Sequence, residues 1–394
     1  MIIQAVTQVC QRHPDKVAII QGQAQITYRE LLARITAAAD HLQSMGLQQG
    51  EAVALHLPNG IDFAISCLSV MACNAIAVPV NTRFQSDEVK YFLESSAARF
   101  TIHHAKFREM LSAMELPGLQ LIAIDEWDYQ GRSPSNDPAA APEFDGSALY
   151  MYSSGSTGKP KRVTRTQLNL LEEFKSLEST IALTADDRIL CTVPMYHAHG
   201  FNNCLFAALL GGGTLIVAEN DFNPRDTMKL IQNHAVSIYP AVPFMLKMIG
   251  DGFYSVKPEL PSLRLVFSAG APLPLEVAAK FNDLFGVFPE QLYGSTETGA
   301  AAINYQGDAG SAESVGKPLH GVQIEVLSEE GEVLPDGEMG EIAIRSPAMT
   351  RQYDDLPETT AECFRVGRYF PGYMGYRDAS GRVLIKGRKM WLIN

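Results

Sequence analysis

The stretch MYSSGSTGKPKR, residues 151–162, decides how this chain is read. It is a Ser/Thr/Gly loop closed by lysines, and it directly follows the apolar run ALYMY at Ala148. Small residues let backbone N–H groups approach an oxyanion closely, hydroxyls add donors, and Lys159 and Lys161 supply positive charge. The loop is therefore expected to hold phosphate. A flexible Ser/Gly surface loop is the competing reading, and two lysines framing Pro160 weigh against it. The nucleotide-binding GxxxxGK[ST] motif is absent, because only two residues separate Gly155 from Gly158 and Lys159 precedes Pro160.

Working outward, YGSTETG at Tyr293–Gly299 offers a carboxylate in a Gly-rich turn, and Ser268-Ala269-Gly270-Ala271-Pro272 follows the apolar run LRLVF. Together with the first loop, in this order and spacing, these segments resemble the signature of the adenylate-forming enzymes. That superfamily includes acyl-CoA synthetases, aryl-acid ligases and peptide-synthetase adenylation domains. Its usual loop is [ST]SG[ST]TGxPK followed by Gly, which the chain matches from Ser153 to Lys161 before placing Arg162 at the glycine position. ITYRELL at Ile26, AVPVN at Ala77, SVGKPLHGVQIEV at Ser314 and GEMGEIAIRSP at Gly337 match weaker landmarks, so the resemblance spans nearly the whole chain.

The resemblance implies roles. Ser153, Ser154, Gly155, Ser156, Thr157, Gly158 and Lys161 would hold the β/γ-phosphates of ATP, with Thr157 and Lys161 acting in catalysis. Gly270, Ala271 and Pro272 would line the adenine pocket. Tyr293 and Gly294 would lie along the adenine, Thr296 would reach the α-phosphate, and Glu297 would hold Mg²⁺, which prefers hard oxygen ligands. In PMYHAHGFNN, His197 would stand near the acid's carboxylate and the thiol entrance, with Tyr196, His199, Phe201, Ala269 and Ala300 as pocket walls. Each of these could equally be ordinary packing. His199 falls where amino-acid-activating members carry an aspartate for the α-ammonium group. A buried ammonium without such a partner is costly. The expected substrate is thus a small carboxylic acid without an α-amino group, aryl or fatty, activated to an acyl-adenylate and passed to a thiol of CoA or of phosphopantetheine on an acyl carrier protein.

Two departures bear on activity. Where the family reads TGD, with the aspartate on the ribose hydroxyls, this chain has Pro371-Gly372-Tyr373, which would lower nucleotide affinity by roughly 1–3 kcal/mol. Arg388 keeps the position that contacts ribose and phosphate, and Met390 replaces the hinge residue. The sequence stops at Asn394, whereas the resemblance implies a further mobile domain of about one hundred residues, the size of a small independent unit. The expectation is the large N-terminal region of a longer enzyme, impaired in isolation. A non-catalytic acyl- or nucleotide-binding module and an amino-acid-activating domain are the alternatives.

Composition agrees with an enzyme that buries large cores. The 394 residues are 46% hydrophobic and 19% charged. Net charge is −12 with no dense basic stripe, so nucleic acid is an unexpected partner. No apolar run suggests a membrane span or a secretory signal. Six scattered cysteines without CxxC pairs fit reduced thiols in a cytoplasm. Short apolar runs at Val17, Ala52, Ala75, Leu119 and Ala148 alternate with amphipathic segments such as Tyr28–Met45, and a second set runs from Arg188 through Gly213 and Val236 to Leu263. Such alternation predicts parallel sheets covered by helices. After about Tyr305, short alternating runs with Gly turns predict an antiparallel barrel or sheet. The expected organisation is an α/β fold in three parts: a first lobe over 1–145, a second similar lobe over 146–305, and a distorted β-barrel over 306–394. The Pro/Ser/Asp-rich segment 131–146 serves as linker.

Overall fold

A computed structural model describes residues 2–127, 146–153, 160–219, 221–252, 254, 257–305 and 314–389. The expected linker therefore lies outside the described residues except for Gly146.

Two mostly parallel sheets form the body. The smaller has six strands in the order Gln120–Ala123, Phe100–His103, Ala52–His56, Ile76–Pro79, Ser147–Ser153, Lys161–Thr166, and only the last is antiparallel. The larger has nine strands. Its six central strands run parallel, from Glu290–Ser295 through Leu265–Ser268, Ile238–Ala241, Arg188–Cys191 and Thr214–Val217 to Val17–Gln21, with antiparallel strands at both edges. Strands such as Ala52–His56 and Thr214–Val217 are buried along their whole length, which is why they read as unbroken apolar runs.

Sheet membership does not follow chain order. Val17–Gln21 joins the large sheet beside Thr214–Val217, while the hairpin 147–166 completes the small one. Helix Ile61–Ala72 lies between them, touching strands of both, and every one of its residues except Asp62 is buried. A helix apolar on all sides needs such a place. Helix starts are chemically marked: Thr27 and Glu30 form a capping box for Tyr28–Ser44, and Thr166 with Asn169 does so for Gln167–Ile181.

The C-terminal region is an antiparallel sheet of six strands between Gln323 and Arg388. Its strand Gly340–Arg345 pairs with three others, and a bridge from Val383 to Gly316 ties the sheet to the edge of the large one.

Candidate functional site

In open parallel sheets, ligands are bound beyond the carboxyl ends of the strands. Four neighbouring strands of the large sheet deliver the candidate residues there. Arg188–Cys191 leads to 194–199, Ile238–Ala241 to Val242, Leu265–Ser268 to Ala269 and Gly270, and Glu290–Ser295 carries Tyr293 into the 296–299 turn.

The turn 268–273 is held by Gln291, whose amide nitrogen donates to the carbonyls of Ser268 (3.4 Å) and Ala271 (3.3 Å). Its side-chain oxygen accepts from the Leu273 N–H at 2.6 Å. Gly270 has φ +86°, a left-handed conformation that glycine adopts without strain. Gly270, Ala271 and Pro272 are exposed, with Ala269 buried beneath them. At Gly294 any side chain would stand 2.5 Å from the Gly299 carbonyl, so the two strands of that hairpin meet only because the residue is glycine.

The phosphate-loop candidates Ser154, Gly155, Ser156, Thr157 and Gly158 lie outside the described residues, as does Met390. The loop's two ends are described. Ser153 and Lys161 face each other as paired positions of two antiparallel strands at the sheet edge. The Lys161 ammonium lies 5.0 Å from the centre of the Tyr353 ring. Tyr353 also donates its phenol O–H to Glu297 Oε1 at 2.8 Å, and both residues are only 4% exposed. Burial, followed by the Glu297 charge, drives the Tyr353 phenol far above its usual range, so it stays protonated and remains a donor. The Glu297 backbone is fixed as well, its carbonyl accepting from the Thr350 N–H at 2.8 Å. The Thr296 carbonyl accepts from Arg165 Nη1 at 3.0 Å.

A buried, oriented carboxylate of this kind suits Mg²⁺, which commonly takes one or two carboxylates plus substrate phosphates. Among the described residues, no group of three or more His, Cys, Asp or Glu could hold a metal alone. Glu297 is the carboxylate that could hold such an ion beside phosphate oxygens.

Arg162, standing at the family's glycine position, is well used. Its guanidinium pairs with Asp354 (3.1 Å) and Asp355 (3.2 Å), donates to the Ser95 carbonyl, and lies 4.8 Å from the Tyr150 ring. Thr164 also donates to Asp354. The strand leaving the loop is thus fastened to the segment that carries Tyr353.

On the acid side, His199 has both ring nitrogens engaged. Nε2 donates to the Ala241 carbonyl at 2.9 Å, and Nδ1 accepts from the Asn203 amide at 2.9 Å. Burial pushes its pKa down to about 4, so the ring is neutral near pH 7. Tyr196 and His197 lie against each other, ring centres 4.7 Å apart, with His197 exposed. Phe201 is fully buried on Phe206 and Ala300 is buried too, so both stand behind the surface rather than on it. The segment Phe201–Phe206 is a π-helical turn. Gly200 permits its entry, since a side chain there would stand 2.2 Å from the Pro194 carbonyl.

At the remaining corner, Tyr373 and Arg388 are paired positions on adjacent strands, with the guanidinium 5.8 Å from the ring centre. Tyr373 is close enough to Tyr293 to help raise its phenol, after burial. Glu341, opposite Met374 on the adjoining strand, is committed elsewhere, to Lys389 and Arg365.

Tyr353, Thr350, Gln291, Arg165 and Glu173 were not singled out by sequence reasoning. Each acts through a partner remote along the chain, and RQYDD or TRTQ carries no local sign of that.

Residues 6–354 match the profile of the AMP-binding enzymes, described as "AMP-binding enzyme". Among curated relatives, an oxalate–CoA ligase of Arabidopsis thaliana is 29% identical, the alignment covering 98% of this chain and 78% of the relative. A feruloyl-CoA synthase of an Amycolatopsis species is 30% identical over 93% of this chain and 74% of the relative. Among solved structures, ATP-bound MatB from Rhodopseudomonas palustris superposes with a TM-score of 0.90 at 25% identity, covering 99% of this chain and 79% of that one.

Proposed function

This chain belongs to the AMP-binding enzyme family, and from that membership we propose that it activates a carboxylic acid with ATP and transfers the acyl group to a thiol. The observation that carries the reading is the meeting of Lys161 and Glu297 on one phenol, that of Tyr353, at the mouth of the Ser/Gly hairpin. A cation and an anion held apart by a buried ring, beside a loop rich in N–H and O–H donors, fit a triphosphate and its counter-ion.

In this reading the acid's carboxylate attacks the α-phosphorus of ATP in line, forming an acyl–phosphate bond while the bond to pyrophosphate breaks. The carboxylate is already ionised and needs no general base. Catalysis is then positioning together with stabilisation of spreading negative charge. Lys161 faces the β/γ-phosphates, the Thr296 side chain the α-phosphate, and Tyr293 with the 269–272 turn the adenine. Mg²⁺ held by Glu297 would neutralise phosphate charge. In the second step the thiol sulfur attacks the acyl carbon and AMP leaves. CoA is the proposed acceptor, with a carrier protein's phosphopantetheine as the variant of the same chemistry.

The acid is proposed to lack an α-amino group. His199 is neutral and spends both nitrogens on Ala241 and Asn203, so it offers an ammonium group no countercharge. Relatives named for oxalate and feruloyl substrates share a carboxylate and no amine. A cytoplasmic setting suits the six free cysteines. No helix among the described residues is long and apolar enough to cross a membrane.

Incubation with ATP, Mg²⁺, CoA and a panel of fatty and aryl acids, followed by mass spectrometry, tests the reading. Acyl-AMP and acyl-CoA are expected for at least one acid. ATP binding without either product from any acid would favour the binding-module alternative, to which Tyr373 lends some support.

A further inference from the structure

Beneath both substrate regions lies a fully buried ion pair that the mechanism above does not use. Arg165 is 0% exposed and Glu173 3% exposed, and Arg165 Nη2 stands 2.8 Å from Glu173 Oε2. Arg165 sits on strand Lys161–Thr166, four residues past Lys161, and Glu173 lies inside helix Gln167–Ile181.

Their remaining bonds reach outward to particular places. Arg165 Nη1 donates to the Thr296 carbonyl (3.0 Å) and Nη2 to the Ala348 carbonyl (3.0 Å). Glu173 Oε1 accepts from the Ala300 N–H (3.1 Å), and Oε2 accepts from the Asn202 amide (3.0 Å). The two ends of the turn Thr296–Ala300, which contains Glu297, are thus tied by one pair. Within the turn, Gly299 has φ +70° and lies so close that a side chain would meet the Glu173 carboxylate at 2.5 Å. Asn202 belongs to the π-helical turn Phe201–Phe206, whose next residue, Asn203, holds His199. π-Turns are rare and recur at functional sites. One carboxylate therefore fixes both the turn proposed to face the phosphates and the wall proposed to face the acid.

Stability is a poor explanation for such a pair. Burying two charges costs several kcal/mol of solvation per ion, and well-packed apolar replacements of buried ion pairs are often neutral or stabilising. We propose that Glu173, acting through Arg165 and Asn202, is a positioning residue for adenylation that sets the relative placement of the carboxylate nucleophile and the phosphate it attacks. This rests on the acid-activating reading of the same site. A 1 Å misplacement can cost about 100-fold in rate while leaving each substrate able to bind.

The test compares the wild-type protein with Glu173→Gln and with the double variant Arg165→Gln/Glu173→Gln, which removes both charges and leaves no lone buried ion. Measurements are ATP–pyrophosphate exchange per folded molecule, KM for ATP and acid, and amide hydrogen exchange. The expected result is a fall of at least tenfold in kcat, with both KM values within about threefold. Faster hydrogen exchange should appear in both 295–300 and 201–206. A folded variant with kcat within twofold of wild type overturns the proposal. So does a loss of rate that matches the unfolded fraction, or failure of both variants to fold, since either would make the pair a folding element only. Wild-type protein silent with every acid would instead reject the acid-activating reading, and the proposal with it. A variant effect cannot mimic that result.

Discussion

The two ends of the proposed nucleotide site are built very differently. At the phosphate end, Lys161, Thr296 and Glu297 are reached by buried partners: Tyr353 touches both charges, Thr350 holds the Glu297 backbone, and Arg165 holds Thr296. At the proposed ribose end, Tyr373 and Arg388 are joined by a ring–guanidinium contact at 5.8 Å, and Glu341 on the adjoining strand is committed to Lys389 and Arg365. In the proposed reading, the buried scaffold stands where negative charge would develop, and the sugar would be held by weaker contacts.

The contrast can be broken most severely at Lys161. Replacing it with alanine should lower kcat for pyrophosphate exchange by about 100-fold or more, the order seen when one preorganised charge-stabilising group is lost. ATP binding measured by calorimetry should change far less. Tyr353→Phe keeps the ring beneath Lys161 but removes the donor to Glu297 Oε1. Losing a hydrogen bond to a buried charge costs about 1.5 kcal/mol, so kcat should fall about tenfold, together with a weaker apparent affinity for Mg²⁺ in a metal titration. The ribose end should respond in the opposite direction. Tyr373→Asp would supply a two-oxygen acceptor beside Arg388 and should tighten ATP binding by about fivefold in calorimetry, with kcat little changed.

Away from the site, pH acts on stability. His199 and His56 are both pushed down to about 4 by burial, and His56 is 0% exposed, stacked 3.8 Å from the Phe107 ring. In the unfolded chain both take up a proton near their ordinary value of 6.5, while in the folded protein they remain neutral to about 4. The unfolded state therefore binds more protons between these values. Their contribution to stability is complete above about pH 6.5 and is lost as pH falls toward 4. Thermal melts from pH 7 to 4.5 should show a falling Tm, and His56→Asn should flatten that slope even if it lowers Tm throughout.

Much of this architecture is legible in the sequence because of burial. AVALHL and GTLIVA read as strands since both faces of each strand are covered, and the amphipathic spacing of Tyr28–Met45 reads as a helix, found over Tyr28–Ser44. YGSTETG and the Ser/Gly loop stand out in the sequence because the phosphate chemistry proposed for them calls for those residue types together. Sheet membership is not. Nothing near Val17 indicates that it will pair beyond Thr214, because register between distant strands is set by tertiary packing. The scaffold is hidden for the same reason: Tyr353, Arg165 and Glu173 are ordinary residues locally, and only folding brings them to Glu297 and Ala300. The π-turn Phe201–Phe206 is likewise hidden, since a one-residue change in hydrogen-bond register leaves no mark on composition.

The central claim is that the hairpin, Lys161 and Glu297 form an acid-activating site. Acid-dependent exchange of labelled pyrophosphate into ATP, measured on the protein across fatty and aryl acids, addresses it most directly. The account predicts exchange with at least one acid, dependent on Mg²⁺ and reduced about 100-fold or more in Lys161→Ala. Absence of exchange with every acid, in protein that still binds ATP, would contradict it.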